Sequence, residues 1–301
     1  MTTIAKKRRK SSFIARHHRV GLYLMLPSAL TLLAVSLYPL LYGIFLSFWN
    51  TNLVNRWEWV GLRYYIEYLT KPEFYERTWL TLRFTFFVVL GHIVLGMFIA
   101  TVLNKRNVKG MTLFRAIMIL PWLIPEVVIG NIWKWIFNPN YGLLNNFLAM
   151  LGFSGTENML WLSSVEMALP SVIFVCIWKG YPMIMMMSLA GLQSIPDELI
   201  EAAQVDGANK LQVFHHVTIP SLLPVILFIF IIDTVWWFKH FNLVWVLTAG
   251  GPAGATNLLS VDIYIKAFSS FQWGRASALA VLVMFICLIL GGIYRKMLEA
   301  K

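Results

Sequence analysis

Four ionisable side chains lie inside long apolar stretches of the sequence: Glu126, Lys179, Asp233 and Lys239. Charges at bilayer depth are costly, so such residues usually face a partner or a water-filled cavity. Lys179 could line a polar pathway as a cation, or it could pair with a carboxylate or with carbonyls exposed near Pro182. Asp233 and Lys239 are six residues apart, which places them on different faces of one helix, so we expect no pair between them.

An aromatic and polar run follows Asp233 and contains Trp236, Trp237, His240 and Asn242. Aromatic faces can pack on a sugar ring while neighbouring polar groups bond its hydroxyls. An aromatic run near the end of a span is also typical of the membrane-interface belt, so both interpretations stay open. The candidates for a substrate pathway are Lys179, Asp233, Trp236, Trp237, Lys239, His240 and Asn242.

Two other patterns argue against metal and nucleotide chemistry. The pairs His17-His18 and His215-His216 have no third ligand at suitable spacing, and neighbouring histidines on a helix point about 100° apart. The sequence also contains no Gly-x-x-x-x-Gly-Lys-Ser/Thr loop, which would cradle phosphates. We therefore predict no metal site and no ATP hydrolysis by this chain alone, and we expect it to hold no cofactor and no catalytic residue.

The composition is that of a membrane protein. Of 301 residues, 58% are hydrophobic and 13% charged, against about 45–50% and about 25% in soluble domains. The net charge of +11 could suggest nucleic-acid binding. However, the basic residues sit in tails and short loops between apolar stretches, as residues that orient a membrane protein do. A water-soluble monomer and a nucleic-acid partner are therefore not expected.

Six segments are long and apolar enough to span a bilayer as helices, which takes about 20 residues each. This predicts an all-α polytopic membrane protein. The first segment is too long for a signal peptide, and we expect it to bend at Pro27 or Pro39. The six predicted spans are Val20–Phe48, Phe84–Leu103, Ala116–Phe137, Met167–Leu189, Ile219–Leu247 and Ala276–Ile293.

Lysine and arginine counts set the predicted orientation, because cytoplasmic flanks hold the excess. With the N-terminus inside, the inner flanks hold 15 such residues and the outer flanks seven. The prediction depends on the tail, residues 1–19, and on Lys105, Arg106, Lys109 and Arg115. Residues 1–19 are then a basic cytoplasmic tail and residues 20–301 the transmembrane domain, with both termini cytoplasmic.

The cytoplasmic loop 194–220 should form two short helices. Ser194 and Asp197 have the spacing of a capping box, and Gly207 interrupts the helical pattern that follows. The result is an L-shaped element suited to docking another protein. The small or apolar side chains that it offers are Leu199, Ile200, Ala203 and Phe214.

The same loop resembles the EAA loop of permease subunits in binding-protein-dependent ABC importers. The matching residues are Glu201-Ala202-Ala203, Gly207 and Val217-Thr218-Ile219-Pro220. The family pattern usually ends in Ile-x-Leu-Pro, so Val217 and Ile219 are mild apolar departures. Four further stretches resemble the subfamily that imports sugars and polyols: Val60-Gly-Leu-Arg-Tyr-Tyr with Pro72-Glu-Phe, Asn138-Pro-Asn-Tyr-Gly-Leu-Leu-Asn145, Leu192-Gln-Ser-Ile-Pro196 and Val246-Leu-Thr-Ala-Gly-Gly-Pro252.

The resemblance implies a type I ABC importer permease fold in the inner membrane of a prokaryotic cell. It implies a heterodimer with a second permease, two ATPase subunits that bind ATP and magnesium, and an extracytoplasmic solute-binding protein. The loop would dock in a cleft of the ATPase and transmit its closure to the spans. The coupling residues are then Leu199, Glu201, Ala202, Ala203, Asp206, Gly207 and Phe214.

The substrate implied by the resemblance is a carbohydrate. Related sequences tend to carry Phe-Asp where this chain has Phe241-Asn242, preceded by Lys239 and His240. Losing an acid and gaining cations favours an acidic oligosaccharide or a sugar phosphate, and a neutral sugar or polyol is the alternative. Two rivals come from other classes: an autonomous secondary transporter, which usually shows internal repeats, and a membrane-embedded glycosyltransferase, which needs clustered carboxylates or histidines at one membrane face.

Overall fold

The computed structural model describes residues 24–104, 110–153, 155 and 159–299. The basic tail and Lys105, Arg106 and Lys109, on which the predicted orientation depends, lie outside these residues. The helices are α1 Leu24–Leu46, α2 Arg63–Thr70, α3 Pro72–Leu103, α4 Met111–Leu123, α5 Glu126–Ile136, α6 Leu143–Met150, α7 Val165–Gln193, α8 Asp197–Val205, α9 Lys210–Phe238, α10 Asn242–Thr248, α11 Leu259–Tyr264 and α12 Trp273–Glu299. A hairpin pairs β1 Trp49–Thr51 antiparallel with β2 Trp57–Trp59.

Five of these helices, α1, α3, α7, α9 and α12, are long and apolar enough to cross a membrane. The bent pair α4 and α5 makes a sixth if its two halves form one span. The predicted helical, multi-span architecture is therefore confirmed, with one short β hairpin that the sequence did not predict. The first span runs through Pro27 and Pro39, with a π-helical turn at Leu33–Leu37 just before the second proline, where a helix can absorb a missing backbone donor.

The third span is not the continuous helix Ala116–Phe137 that the sequence predicted. It breaks after Leu123, and the two halves meet at 94°. Pro125 explains the break, because a proline pushes the preceding residue towards an extended conformation, and Ile124 has φ −72° and ψ 134°.

The fifth span ends earlier than predicted. Its helix ends at Phe238 rather than Leu247, and a second short helix, α10, starts at Asn242. The residues between them, 239–241, include no proline or glycine. The predicted span continued through this break because it was based on hydropathy, and no residue in the segment signals a helix end.

The centre of the bundle is the close packing of α3 against α7. Two glycines of α3 allow it: a Cβ added at Gly91 would collide with Ile177, and one at Gly96 would lie 3.0 Å from the backbone nitrogen of Met185. Helix α9 packs against both of these helices. Core side chains such as Phe84 are fully buried there.

At one end of the bundle, an ion-pair cluster ties α2 to the start of α12. Glu67 Oε1 accepts hydrogen bonds from Lys71 at 2.7 Å and from Arg275 at 2.9 Å. The bond from Lys71, assisted by Arg275, lowers the pKa of Glu67, although partial burial opposes the shift. Burial raises the pKa of the neighbouring Tyr64 and Tyr68 phenols.

Candidate functional site

A cavity of about 380 Å³ lies between the spans where the broken pair α4 and α5 meets α7 and α9. Trp122 and Glu126 enter it from the two sides of the break. Lys179 enters from α7, and Asp233, Trp236 and Trp237 from α9. A cavity lined by aromatic faces with a few polar groups is the usual form of a small-molecule site.

The cavity brings together four of the seven sequence-predicted pathway residues, Lys179, Asp233, Trp236 and Trp237. The other three do not line it. Lys239 and Asn242 are exposed in the segment that follows α9 and in the first turn of α10. His240 is buried, and its ring lies 4.2 Å from the ring of Trp237, behind the cavity wall.

The ammonium group of Lys179 stabilises the backbone at the break between α4 and α5. It donates hydrogen bonds to the carbonyls of Pro121 at 3.1 Å, Trp122 at 2.6 Å and Ile124 at 2.8 Å. Carbonyls at the end of a helix have no helical partner, and a positive charge there also suits the helix dipole. All three N–H bonds of Lys179 are thus occupied. The structure gives this side chain carbonyl partners, but on the broken span rather than near Pro182.

Asp233 is held by a histidine that the sequence analysis missed. Oδ2 of Asp233 lies 2.8 Å from Nδ1 of His92, and Nε2 of that ring lies 3.1 Å from the carbonyl oxygen of Cys176. Three helices, α3, α7 and α9, are linked by these two contacts. The signal was present in the sequence, because His92 is the only ionisable residue between Arg83 and Lys105.

Gly180 makes room for this histidine. A Cβ at position 180 would overlap Nε2 and Cε1 of His92 and would lie 3.0 Å from Cζ2 of Trp237. The ring of Trp237 in turn meets the ring of His92 edge-on at 5.0 Å. The glycine is therefore required by the close approach of two side chains from neighbouring helices.

Two of the buried polar atoms that have no hydrogen-bond partner in the part of the chain that the structure describes lie in or just behind the cavity wall. They are Oε2 of Glu126 and Nε2 of His240. A buried polar atom without a partner costs free energy unless water or a ligand satisfies it. Oε2 of Glu126 is thus an unsatisfied acceptor beside the cavity, which a water or ligand would satisfy.

The two helical arms predicted for residues 194–220 are present, but the first helix begins differently from the prediction. The helix starts at Asp197 after Pro196, and its first turn has no side-chain cap; Ser194 Oγ instead donates to the carbonyl of Gly191. The predicted capping box at Ser194 is wrong because Pro196 occupies the position that precedes the helix. The break at Gly207 is confirmed, with φ +87°.

The second arm of the element begins with a cap that the sequence analysis overlooked. Asn209 accepts from the backbone nitrogens of Leu211 and Gln212, and the Gln212 side chain accepts from the nitrogen of Asn209. This is a capping box, and its Asn-x-x-Gln spacing is readable in the sequence. It starts α9, so the second arm of the element and the fifth span form one continuous helix.

The element presents apolar side chains outward. Leu199, Val205 and Leu211 are 50%, 88% and 72% exposed. Among the predicted coupling residues, Glu201, Ala202, Asp206 and Gly207 are also exposed, whereas Ala203 and Phe214 are half-buried. Exposed apolar groups rimmed by charges are typical of protein-binding surfaces.

Comparison with known sequences gives one family. Residues 92–299 match the family described as "Binding-protein-dependent transport system inner membrane component". The trehalose/maltose transport system permease protein MalF of Thermococcus litoralis is 32% identical over 93% of this chain and 94% of its own length. The multiple sugar-binding transport system permease protein MsmF of Streptococcus mutans is 37% identical over 83% of this chain and 84% of its own.

Comparison with solved structures tests the fold. A chain of a bacterial ABC transporter involved in the import of the acidic polysaccharide alginate superposes with a TM-score of 0.82. It is 23% identical and covers 96% of this chain and 98% of its own. The likeness extends over nearly all of both chains, so the permease fold expected from the sequence is confirmed.

Proposed function

We propose that this chain, which belongs to the family of binding-protein-dependent transport system inner membrane components, is a permease subunit that carries a carbohydrate across the membrane in an ATP-driven importer. The cavity between the broken span, α7 and α9 is the observation that carries the substrate class. Relatives named for trehalose, maltose and multiple sugars support the same class.

The lining of the cavity suits a sugar. Trp122 and Trp236 are exposed and offer flat apolar faces, on which the C–H side of a sugar ring packs, while the buried Trp237 forms part of the wall. Glu126 and Asp233 offer carboxyl oxygens that accept hydrogen bonds from hydroxyls. Its volume is within the range of small-molecule sites, about 300–1,000 Å³.

A neutral carbohydrate fits the cavity better than an acidic one. The three N–H bonds of Lys179 are taken by carbonyls, and Lys239 is exposed outside the cavity. Glu126 adds an acidic group to the lining, which disfavours an anion. An acidic oligosaccharide or sugar phosphate is the second candidate, favoured by Lys239 and His240 near the end of α9.

A panel of ligands tests the substrate class. The complete transporter would be purified with its binding protein, and ATP hydrolysis measured with neutral disaccharides, neutral oligosaccharides, uronate oligosaccharides and sugar phosphates. We expect neutral sugars to stimulate hydrolysis, and a Trp236→Ala variant to need more sugar for the same effect. Lys179→Ala and Lys239→Ala variants should not alter the preference between neutral and acidic ligands. Stimulation by none of these ligands, or by amino acids instead, would refute the carbohydrate proposal.

We further propose that residues 194–220 couple this chain to an ATPase subunit. Helix α8 and the start of α9 form a bent, exposed element with apolar side chains outward, and α9 carries Asp233 and Trp236 at the cavity. A movement imposed at Lys210 would therefore reach the cavity along one helix. This continuity is the observation that supports coupling.

Two substitutions test the coupling. Gly207→Pro cannot adopt φ +87° because proline is fixed near −65°, and Glu201→Lys reverses an exposed charge of the EAA motif. Both variants should reach the membrane yet hydrolyse ATP without importing sugar. Glu166→Lys, an exposed reversal in the first turn of α7, is the matched control. Normal uptake by both test variants would contradict the coupling role.

The proposed assembly follows the family pattern. It comprises this chain, a second permease, two ATPase subunits that bind ATP and magnesium, and an extracytoplasmic solute-binding protein. Residues 1–19 would be a basic cytoplasmic tail and residues 20–301 the permease domain, with both termini in the cytoplasm of a prokaryotic cell. The chain itself would carry no catalytic residue.

A further inference from the structure

We propose that His92 is a positioning residue for the carbohydrate: it shares a single proton with Asp233 and so holds one oxygen of that carboxyl group at the cavity wall. This inference rests on the proposed function and adds a residue, and a role, to the substrate site. It is carried by the contacts of one fully buried imidazole ring.

The partners of His92 fix the number of protons. A carbonyl oxygen can only accept, so the contact of Nε2 with the Cys176 oxygen requires a hydrogen on Nε2. The contact of Nδ1 with Asp233 then also needs one hydrogen, which belongs either to the ring or to the carboxyl group. In both cases the pair carries no net charge. A neutral pair is what a buried site inside a membrane tolerates best.

The same contacts leave one carboxyl oxygen for a ligand. Oδ2 of Asp233 is used by His92, and this is the one side-chain hydrogen bond of Asp233 within the described residues, so Oδ1 is left for another donor. The side chain of Asp233 lines the cavity beside Trp236 and is 8% exposed. Because Oδ2 is held by His92 and the side chain lines the cavity, we place Oδ1 on the cavity side, where a sugar hydroxyl can donate to it.

The ring of His92 cannot turn away from this arrangement. Gly180 of α7 lies directly against Nε2 and Cε1, and Trp237 packs edge-on at 5.0 Å. Rotation would break both hydrogen bonds and drive the ring into α7 or α9. Rigid support of a polar group by packed neighbours is what specific recognition requires.

Replacement of His92 by an apolar residue should therefore harm recognition as well as stability. His92→Leu leaves Asp233 without its donor, so the carboxyl group is free to turn and must be satisfied by water or by another partner. Asp233→Asn is the conservative counterpart. Its amide can donate to Nδ1 while Nε2 still donates to Cys176, and its carbonyl oxygen still faces the cavity. It should stay closer to wild type than His92→Leu does.

The test uses the complete transporter in proteoliposomes, with uptake measured against sugar concentration. We expect His92→Leu to raise the KM on the order of tenfold, which is the effect of about one lost hydrogen bond. The double variant His92→Leu/Asp233→Leu removes both partners of the pair. It should restore the amount of folded assembly, because no buried group is left unpaired, yet keep the raised KM.

Val175→Ala, a fully buried substitution on α7, is the control for lost packing and should leave the KM unaltered. A wild-type KM in His92→Leu, or a double variant that recovers both folding and KM, would reduce His92 to a structural role and overturn the proposal. An Asp233→Asn variant as impaired as His92→Leu would overturn the shared-proton geometry. If wild-type protein takes up no carbohydrate, the proposed function itself fails, which is a different result from all of these.

Discussion

Replacing Lys179 by methionine removes the ammonium group that donates to the backbone at the break between α4 and α5, while keeping a side chain of similar length. The three carbonyls of Pro121, Trp122 and Ile124 then lose their donor inside the membrane. Irregular backbone is tolerated at this depth only where other groups satisfy it. We therefore expect the broken span to lose its fixed angle at the cavity.

The structure gives a magnitude for this change. Interhelical hydrogen bonds in membrane proteins contribute about 0.6 kcal/mol on average and at most about 1.7 kcal/mol. Three such bonds amount to about 2 kcal/mol, with an upper value of about 5 kcal/mol. Removing the ammonium also leaves Glu126 as an acidic group in the cavity without the nearby positive charge, so Lys179→Met should be destabilised by at least about 2 kcal/mol.

The assay is denaturant unfolding of the purified chain in mixed micelles, followed by tryptophan fluorescence. Lys179→Arg retains the charge and should lose less stability than Lys179→Met. Adding Glu126→Gln to the methionine variant should recover part of the loss. If the Lys179→Met variant were as stable as wild type but had a changed preference between acidic and neutral sugars, the structural role would be refuted. Lys179 would then contact the substrate.

Three further predictions concern other parts of the chain. Gly180→Ala should displace His92 and cost about 1–3 kcal/mol, measured by the same unfolding assay. Glu67→Gln should lower the melting temperature above pH 4.5, because the lowered pKa of Glu67 stabilises the ionised folded state there; the difference from wild type should disappear as pH falls below the folded-state pKa. Leu211→Asp, on the exposed arm of the coupling element, should leave stability unaltered but weaken co-purification with the ATPase.

Much of the architecture could be predicted because a membrane span needs a long apolar stretch, and such stretches are visible in a single sequence. The breaks within spans were harder. The Ile124-Pro125 pair carries a readable signal, since the residue before proline avoids the helical region. The break after Phe238 carries none, because residues 239–241 contain neither proline nor glycine.

The cavity was only partly predictable. Lys179 and Asp233 stand out because a charged residue interrupts an apolar stretch. Their partners do not, because they lie 55–58 and 141 residues away along the chain. His92 was missed for another reason: histidine is often neutral, so a span that contains one still looks uninterrupted.

The coupling element, residues 194–220, was also predicted correctly in part and wrongly in part. Gly207 marks the bend because glycine adopts a positive φ without strain. Asn209 and Gln212 form a capping box at the start of the helix that continues into the fifth span. Ser194 and Asp197 have the same spacing but form no such cap, because Pro196 lies between them. A capping motif therefore has to be checked against the residues that it encloses.

ATP-dependent uptake tests the central claim most directly. Proteoliposomes would hold either the complete assembly or this chain alone, with a labelled neutral disaccharide outside and ATP or no ATP on the ATPase side. We predict that the sugar accumulates only with the complete assembly and ATP. Accumulation by this chain alone without ATP would contradict the account and indicate an autonomous transporter.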